Sequence, residues 1–517
     1  MKTKIKLLTK GLLAFFIIGS FIQCSPEKKE TKPNIIYILA DDLGYGELGC
    51  YGQQKIETPN LDDLATNGVR FTDHYAGAPV CAPSRCVLLT GKHLGHAHIR
   101  GNDEWGERGE VWDFAKAVED PNLEGQRPLP QGTNTIASLL KTAGYKTGMI
   151  GKWGLGAPLT NGIPTKQGFD FFCGYNCQRQ AHTYYPKHLW RNEEKIWLDN
   201  DLVVPGTKLD KDADPYDETS YARYSLKEYS PDIMHKEAIN FIRKNKNQPF
   251  FFYYASTIPH VPLQAPKKWV DKYVKKFGDE EPYDGSKGYF PCRYPKATYA
   301  AMVSYLDYQI GDLIRELKEL GIYENTIIIF SSDNGPSYNG GTDSPWFNSG
   351  GLFKSEYGWG KGFVHEGGIR VPMITSWPAK IKEGKVSEHI SSFYDVLPTV
   401  CELADIDIPA DVDGKSFLPE LTGAGTKEKQ DHYYWEFPSY SGQQALRMGK
   451  WKAIRRDIFK GNMDIELYDL EKDVREQNNV ASQNPDIVKK IEKILKAEHT
   501  EAVIERFKIK ELGDEKK

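Results

Sequence analysis

The sequence shows little imbalance of charge. Its 67 lysine and arginine residues are matched by 71 aspartate and glutamate residues, which leaves a formal net charge of −4 over 517 residues. Proteins that bind nucleic acid usually carry a basic excess, so this balance argues against nucleic acid as a partner. Any anionic ligand would have to be held by a few cationic side chains placed around it.

Long apolar runs and cysteines are also scarce. Beyond the N-terminal segment, no stretch is apolar enough to cross a membrane, which takes about 20 residues. Eight cysteines are present, and no two pairs of them have the spacing of a zinc finger. We interpret Cys173 and Cys177 as buried thiols or as a local bridge. The sequence has neither internal repeats nor low-complexity linkers.

The N-terminus has the pattern of an export signal. Four lysines within the first ten residues precede an apolar run over residues 12–22, and the run stops at Cys24. Because the run is short, residues 1–24 are predicted to be a signal peptide, with cleavage before a lipid-modified Cys24. Residues 25–32 would then be a polar tether, and the protein would lie in the periplasm or at the outer membrane of a bacterium. Gln23 stands where a lipoprotein signal usually has a small residue, so a soluble periplasmic product is the alternative.

The exported part predicts a large α/β domain. Single hydrophobic cores stop growing at about 250–300 residues, so a chain of this length should form two cores of unequal size. Continuous apolar runs predict strands that are buried on both faces. These runs cover residues 34–39, 146–150, 249–255, 326–330 and 371–376. Apolar residues spaced by three and four from Met302 to Leu320 predict a helix among them.

The pattern changes near residue 424. Short aromatic segments that alternate in polarity predict a small antiparallel sheet, with strands over residues 433–437, 448–454 and 465–470. Asn484 is predicted to cap a final helix that has Pro485 at its first position. We therefore expect the large domain over residues 33–424 and a C-terminal subdomain of antiparallel sheet and helix over residues 425–517.

Residues 81–91 carry the most chemical information in the chain. They read CAPSRCVLLTG and match the pattern C-x-P-S-R-x-x-x-L-T-G, which resembles the signature of the type I sulfatases. In that family a maturation enzyme oxidises the first cysteine to formylglycine, whose hydrated aldehyde attacks the sulfur of a sulfate ester. The resemblance implies that Cys81 becomes this nucleophile; an ordinary buried cysteine is the alternative. It also implies the alkaline-phosphatase-like fold, a large and mainly parallel mixed sheet flanked by helices.

Oxygen ligands follow two of the predicted strands. Asp41 and Asp42 come after one of them, and Asp333 and Asn334 come after another. The carboxyl ends of parallel strands are where open α/β sheets bind ligands, and hard oxygen ligands favour Ca²⁺ or Mg²⁺. The resemblance implies that these residues hold a metal ion, usually calcium in the family, and that the modified Cys81 completes its shell.

The resemblance assigns roles to four further residues. Arg85 would orient and stabilise the nucleophile. Lys152, in the segment GKWGLG, and Lys361, in the segment GKG, match the two lysines that the family uses to bind sulfate. His260 matches the histidine that protonates the leaving alcohol, a role that suits imidazole because it titrates near neutral pH.

The sequence departs from the family pattern at one position. The family motif GKWHLG reads GKWGLG here, so Gly154 replaces a histidine that is thought to help to expel inorganic sulfate. His98 and His365, which lie near motif residues in the sequence, are candidates for its replacement.

The sequence defines the alcohol less well than the sulfate chemistry. Arg100, Asn102, Gln178 and His182 are polar residues that could bind sugar hydroxyls. Lipidated bacterial sulfatases often act on glycans, so the resemblance implies a sulfated galactose or N-acetylgalactosamine unit. One alternative is a phosphodiesterase or phosphonate hydrolase of the same superfamily. Another is a surface lipoprotein that binds sulfated glycans without turnover, for which Gly154 is the only indication.

Overall fold

The computed structural model describes residues 32–426 and 428–515. The predicted signal peptide, Cys24 and nearly all of the predicted tether lie outside the described residues. Within these ranges, no helix has both the length and the hydropathy that a membrane span requires. The seven cysteines in the same ranges are free thiols, including Cys173 and Cys177.

The described residues form three β-sheets and a set of helices. The strands in chain order are β1 (Asn34–Ala40), β2 (Val69–Phe71), β3 (His74–Tyr75), β4 (Lys146–Lys152), β5 (Phe171–Tyr175), β6 (His188–Arg191), β7 (Glu194–Trp197), β8 (Phe250–Ala255), β9 (Thr326–Ser332), β10 (Met373–Ser376), β11 (Lys385–Ser387), β12 (Ser391–Ser392), β13 (Tyr433–Phe437), β14 (Gln443–Met448), β15 (Trp451–Arg456) and β16 (Glu466–Asp469). The α-helices are α1 (Pro59–Thr66), α2 (Cys81–Thr90), α3 (Phe114–Glu119), α4 (Ile136–Thr142), α5 (Ser230–Asn245), α6 (Lys267–Phe277), α7 (Pro295–Glu319), α8 (Ser344–Phe347), α9 (Glu366–Ile369), α10 (Val396–Ala404), α11 (Leu418–Thr422) and α12 (Pro485–Glu498).

The large sheet has ten strands in the order β11-β2-β10-β9-β1-β8-β4-β5-β6-β7. Its centre, from β9 to β5, is entirely parallel, and antiparallel pairs extend it on both sides. Buried apolar clusters cover both faces, with Ile35 and Tyr37 on one side and Ile36 and Ile38 on the other. This topology confirms the predicted mainly parallel α/β fold. The prediction was possible because strands that are buried on both faces appear in the sequence as continuous apolar runs.

A second, antiparallel sheet consists of β13, β14, β15 and β16. Ile491 and Leu495 of α12 pack against it. The prediction of a single strand over residues 448–454 is wrong. The chain reverses at Gly449, which has φ of 57°, so that Met448 pairs with Trp451 across a tight hairpin. Glycine adopts this left-handed conformation without the steric cost that other residues meet.

The start of α12 also differs from the prediction. Pro485 is the first helical residue, as expected, and Asn484 precedes it. The Asn484 side chain does not cap the helix, because its amide group donates a hydrogen bond to the carbonyl of Val480. From Lys32 onward the chain forms one compact unit, and the domain boundary at residues 424–425 stays a prediction.

Four adjacent parallel strands, β9, β1, β8 and β4, end at the same edge of the large sheet. Asp333 follows β9, and Asp41 and Asp42 follow β1. Lys152 is the last residue of β4, and His260 lies in the loop after β8. The parallel pairing therefore brings together side chains that are far apart in the sequence.

Candidate active site

Cys81 is the first residue of α2 and is buried. Its thiol donates a long hydrogen bond of 3.6 Å to Asp41 Oδ1. Burial raises the pKa of the Cys81 thiol to about 12. Because the thiolate is the reactive form of cysteine, an unmodified Cys81 would be a weak nucleophile at neutral pH.

Ligand atoms from four buried residues converge at Cys81. The sulfur atom, one carboxylate oxygen each from Asp41 and Asp42, and one ring nitrogen of His260 all lie within 4.8 Å of one another. Asp42 has φ of 67°, in the left-handed region. Non-glycine residues adopt this conformation at an energetic cost, and such strain recurs at functional sites. The group has the composition of a cation-binding site.

Asp333 and Asn334 extend this group from the end of β9. Asp333 Oδ1 accepts a hydrogen bond from the backbone nitrogen of Asp42, and its Oδ2 lies 2.8 Å from the Arg85 guanidinium. The Asn334 amide nitrogen donates to Asp42 Oδ1 over 2.8 Å, whereas Asn334 Oδ1 is buried without a hydrogen-bond partner in the described ranges. Leaving a buried acceptor unpaired costs stability. Together with the carboxylates, this free oxygen fits Ca²⁺ or Mg²⁺.

Two lysines form ion pairs with two of these carboxylates. Lys152 Nζ lies 2.8 Å from Asp41 Oδ2, and Lys361 Nζ lies 2.7 Å from Asp42 Oδ2. Burial alone would lower the pKa of Lys152, but Asp41 and the other acidic groups around it together outweigh this effect and raise the pKa above its usual value. Both ammonium groups line the cavity described below and can meet an anionic ligand there.

The buried carboxylates differ in their affinity for protons. Burial opposes ionisation of Asp41, but Lys152 and then His260 hold its pKa well below the usual range. Burial and the negative charge of Asp41 raise the pKa of Asp333 to about 7. A divalent cation at this site would favour ionisation of both side chains, because bound cations are the strongest local charges.

The orientation of His260 follows from its backbone contact. Its Nδ1 lies 2.5 Å from the carbonyl oxygen of Val261. A carbonyl oxygen can only accept, so Nδ1 carries the proton in the neutral ring and Nε2 is left 3.8 Å from Asp42 Oδ2. Burial, followed by the charges of Lys361 and Lys152, holds the pKa of His260 well below 6.5. An anion bound to the two lysines would offset their effect.

A cavity of about 440 Å³ opens at position 81, which we call the catalytic cavity. Its lining includes Cys81, Lys152, His260 and Lys361 together with Asn102, Gln178 and His182. The rings of His182 and His260 stack with their centroids 5.5 Å apart and an angle of 12° between their planes. The structure thus brings three of the four predicted sugar-binding residues to the same cavity as Cys81.

Arg100 is the exception among the predicted sugar ligands. Its side chain is buried, and its guanidinium donates hydrogen bonds to the carbonyls of Gly95 and Ala97, to Glu436 and to Thr500. Arg100 is not among the described residues that line the catalytic cavity. Its donors join the loop after α2 to the C-terminal part of the chain. The closeness of Arg100 to the signature in the sequence could not indicate this role.

Gln178 fills the space beside Gly154. Gly154 has φ of 78°, and a β-carbon added there would lie 3.1 Å from Gln178 Cγ. The Gln178 amide nitrogen donates to Asn102 Oδ1, which also accepts the backbone N–H of Ala82. Its Oε1 is buried and has no partner in the described ranges. A glutamine amide therefore occupies the direction in which a side chain at position 154 would point.

His98 and His365, the predicted replacements for the missing histidine, are not in the described lining of the catalytic cavity. The ring of His365 is buried against Trp359, with the two centroids 4.4 Å apart. Neither ring is placed to meet a ligand in that cavity.

One part of the cavity wall was not predicted from the sequence. Phe437, Ser439 and Tyr440 lie at the end of β13 and in the turn that follows, and all three line the catalytic cavity. Most aromatic residues serve in hydrophobic cores, so their presence in the sequence alone did not mark them as cavity residues.

The chain is similar to known proteins over almost its whole length. A family model described as Sulfatase matches residues 33–406, and one described as N-sulphoglucosamine sulphohydrolase, C-terminal, matches residues 355–502. Human arylsulfatase A is 32% identical, with 91% of this chain and 89% of that protein covered. The N-acetylgalactosamine-6-O-sulfatase of Bacteroides thetaiotaomicron is 28% identical, with 93% and 95% covered.

A solved structure supports the same relationship. The crystal structure of Ps i-CgsB in complex with k-i-k-neocarrahexaose superposes with a TM-score of 0.68 at 28% sequence identity. The match covers 90% of this chain and 93% of that one.

Proposed function

The chain belongs to the sulfatase family and is a sulfuric ester hydrolase, and from this premise we propose that it releases sulfate from galactose or N-acetylgalactosamine units of glycans. The observation that carries the proposal is the buried group at position 81, where Asp41, Asp42 and His260 meet under two lysines. One similar protein is named as an N-acetylgalactosamine-6-O-sulfatase and another was solved in complex with a neocarrahexaose, which supports a sugar as the alcohol.

Different residues of the catalytic cavity act on different parts of the sulfate ester. Lys152 and Lys361 stabilise the negative charge of the sulfate oxygens from fixed positions. A sulfate bound to Lys152 and Lys361 would offset the charges that lower the pKa of His260, so that the ring is protonated at both nitrogens and donates from Nε2 to the departing sugar oxygen. The contact of Nδ1 with the carbonyl oxygen of Val261 holds the ring in this orientation. Arg85 holds Asp333 in place by donating two hydrogen bonds to its Oδ2, and it also donates to the carbonyl of Lys152 at the end of β4.

Asp41, Asp42, Asp333 and Asn334 would hold a Ca²⁺ or Mg²⁺ ion. The convergence of carboxylate oxygens and the unpartnered Asn334 Oδ1 support this assignment. Such an ion would polarise a sulfate oxygen as a Lewis acid.

We also propose that Cys81 is converted to formylglycine by a maturation enzyme. The signature at residues 81–91 supports this conversion, as does the raised pKa of the thiol, which would leave an unmodified cysteine unreactive. Formylglycine would supply a nucleophilic oxygen at this position. Mass spectrometry of the peptide that contains residue 81, from protein made with the maturation enzyme, should detect the aldehyde. An unmodified cysteine in active protein would contradict the proposal.

The activity can be tested by release of inorganic sulfate. We expect release from 4-nitrocatechol sulfate and from at least one member of a panel of monosulfated galactose and N-acetylgalactosamine compounds. C81A should abolish release, whereas C86A should retain it, because Cys86 lies in the same helix but is not in the described lining of the cavity.

The same assays separate the alternatives. Hydrolysis of phosphate diesters or phosphonate esters without hydrolysis of any sulfate ester would indicate the phosphodiesterase or phosphonate hydrolase. Binding of sulfated sugars without release, in protein that carries the modified residue 81, would indicate the glycan-binding lipoprotein.

For the location, we propose export to the periplasm or outer membrane with a lipid anchor at Cys24. The support is the pattern of residues 1–24 in the sequence. C24A should move the protein from the membrane fraction to the soluble fraction. Unchanged membrane association would rule out the anchor.

A further inference from the structure

A second and larger cavity adjoins the catalytic cavity. Its volume is about 1240 Å³, compared with about 440 Å³ at position 81, and Tyr338, Asn339 and Tyr440 line both. Cavities that hold drug-sized ligands measure roughly 300–1,000 Å³. The catalytic cavity is thus suited to one sugar ring with its sulfate, and the adjoining cavity leaves room for several further rings.

Tyrosines are the prominent side chains of the adjoining cavity. Tyr216, Tyr283, Tyr338, Tyr357 and Tyr440 line it. Tyr357 is 67% exposed, Tyr216 is 51% exposed and Tyr440 is 46% exposed. Tyr440, which lines both cavities, also has φ of 48°, a left-handed conformation that costs energy in a non-glycine residue. Exposed tyrosine rings offer a flat apolar face and a polar tip, which match the two kinds of surface on a sugar.

The charges of the adjoining cavity differ from those around position 81. Its lining contains five carboxylates and two lysines: Asp279, Glu280, Glu281, Asp343, Glu356, Lys287 and Lys296. Arg293 pairs with Asp279, and Lys354 pairs with Glu356. The lining therefore offers many hydrogen-bond acceptors for hydroxyl groups but no excess of positive charge. A second sulfate group would find no equivalent of the buried pair Lys152 and Lys361.

We propose that the adjoining cavity binds unsulfated sugar units next to the sulfated one, so that the substrate is an oligosaccharide or polysaccharide and not a monosaccharide. This inference rests on the proposed function, because it takes the sulfated unit to occupy the catalytic cavity. Tyr440 then marks the junction between the sulfated unit and its unsulfated neighbours. Tyr216 and Tyr357, farther out, bind the following units by stacking.

The test compares substrates of different length. We would measure kcat/KM for the best sulfated monosaccharide of the panel and for a tetrasaccharide that carries the same sulfated unit followed by three unsulfated galactose units. We expect kcat/KM to be at least about tenfold higher for the tetrasaccharide, which corresponds to about 1.4 kcal/mol of added binding. A tetrasaccharide sulfated on every unit should be a poorer substrate than the singly sulfated one.

Tyrosine-to-alanine variants then test which side chains cause the preference for the tetrasaccharide. Y216A and Y357A should each lower the ratio of kcat/KM for the tetrasaccharide to kcat/KM for 4-nitrocatechol sulfate by about tenfold. Y308A is the matched control, because Tyr308 is also 46% exposed but lies on α7 and lines neither described cavity. It should leave the ratio unchanged.

The outcomes distinguish the inference from the proposed function. Equal kcat/KM values for the monosaccharide and the tetrasaccharide, in protein that hydrolyses the monosaccharide, would overturn the inference and leave the proposed function in place. A preference for the fully sulfated tetrasaccharide would overturn the assignment of unsulfated units. Failure to hydrolyse any sulfated sugar would refute the proposed function itself.

Discussion

At the scale of single residues, Gly154 and Gln178 share one small space. A histidine at position 154 would need a β-carbon 3.1 Å from Gln178 Cγ and a left-handed backbone with φ of 78°. The conformation costs a non-glycine residue about 1–2 kcal/mol, and overpacking adds about 1–3 kcal/mol. We expect G154H to lower the free energy of unfolding by about 2–5 kcal/mol in urea unfolding experiments.

A double-mutant cycle tests the cause of that loss. In G154H/Q178A the space beside position 154 is vacated, so the combined loss should be smaller than the sum of the two single losses by at least about 1 kcal/mol. Strictly additive losses would mean that Gln178 does not compete with a side chain at position 154.

Glu47 is a second residue with a measurable consequence. It is buried and accepts hydrogen bonds from the backbone nitrogen of Gly44 and from the Tyr299 hydroxyl, both over 2.7 Å. Burial raises the pKa of Glu47 from 4.5 to about 7. An acid with a raised pKa in the folded state contributes most stability at low pH, and this contribution is lost as the pH rises through about 4.5 to about 7.

We expect E47Q to remove this pH dependence while both hydrogen bonds remain possible. When the pH rises from about 5 to about 8, the wild type should therefore lose stability relative to E47Q, by at most about 3 kcal/mol. Urea unfolding at the two pH values measures the difference. A difference between the two proteins that stays constant with pH would contradict the raised pKa.

At the scale of secondary structure, the sequence predicted the strands that form the site better than their surroundings. The central strands β1 and β9 are buried on both faces, so unbroken apolar runs marked them within a residue or two. Helix α7 begins at Pro295, earlier than the regular apolar spacing predicted. Proline is well tolerated in the first helical turn, so Pro295 is compatible with this earlier start. The β14–β15 hairpin was missed because only the conformation of Gly449 separates its two short strands.

Arg100 shows why the role of a polar residue can be misjudged from its position in the sequence. We expect R100A to destabilise the protein by about 3–5 kcal/mol, because it leaves the buried carboxylate of Glu436 without its guanidinium partner. R223A is the control, because Arg223 and its partner Asp210 are both exposed and such pairs contribute at most about 1 kcal/mol. Thermal or urea unfolding distinguishes the two. Weaker binding of sugars by R100A without loss of stability would instead support the sequence-based interpretation.

At the scale of the whole molecule, the cation that we propose among three buried aspartates at one edge of the large sheet would make stability depend on its binding. We expect Ca²⁺ at about 1,000 times its dissociation constant to raise the free energy of unfolding by about 4 kcal/mol, and EDTA to reverse the gain. N334A should show a smaller gain, because it lacks the buried oxygen that has no protein partner in the described ranges. Calorimetry with and without Ca²⁺ provides the measurement. Equal unfolding temperatures in both conditions would argue against a cation at this site.

The packing of the parts of the molecule against one another also limits what can be predicted from the sequence. The signature at residues 81–91 and the strand-end residues identified the sulfate chemistry, because each is local in the sequence or follows a recognisable strand. The adjoining cavity and the contribution of Tyr440 depend on how the C-terminal sheet packs against the large one. No local pattern encodes that packing, so the surfaces that would bind the sugar became visible only in the structure.

The turn that carries Tyr440 joins two strands of the C-terminal sheet, whereas Lys152 ends β4 of the large sheet and Lys361 lies in a loop. If Tyr440 contacts the sugar as we propose, exchanging this short hairpin between related enzymes would alter which polysaccharide is accepted and would leave the residues around Cys81 in place. Such a separation would let the accepted polysaccharide change through small local substitutions, and it offers protein engineers a place to graft specificity.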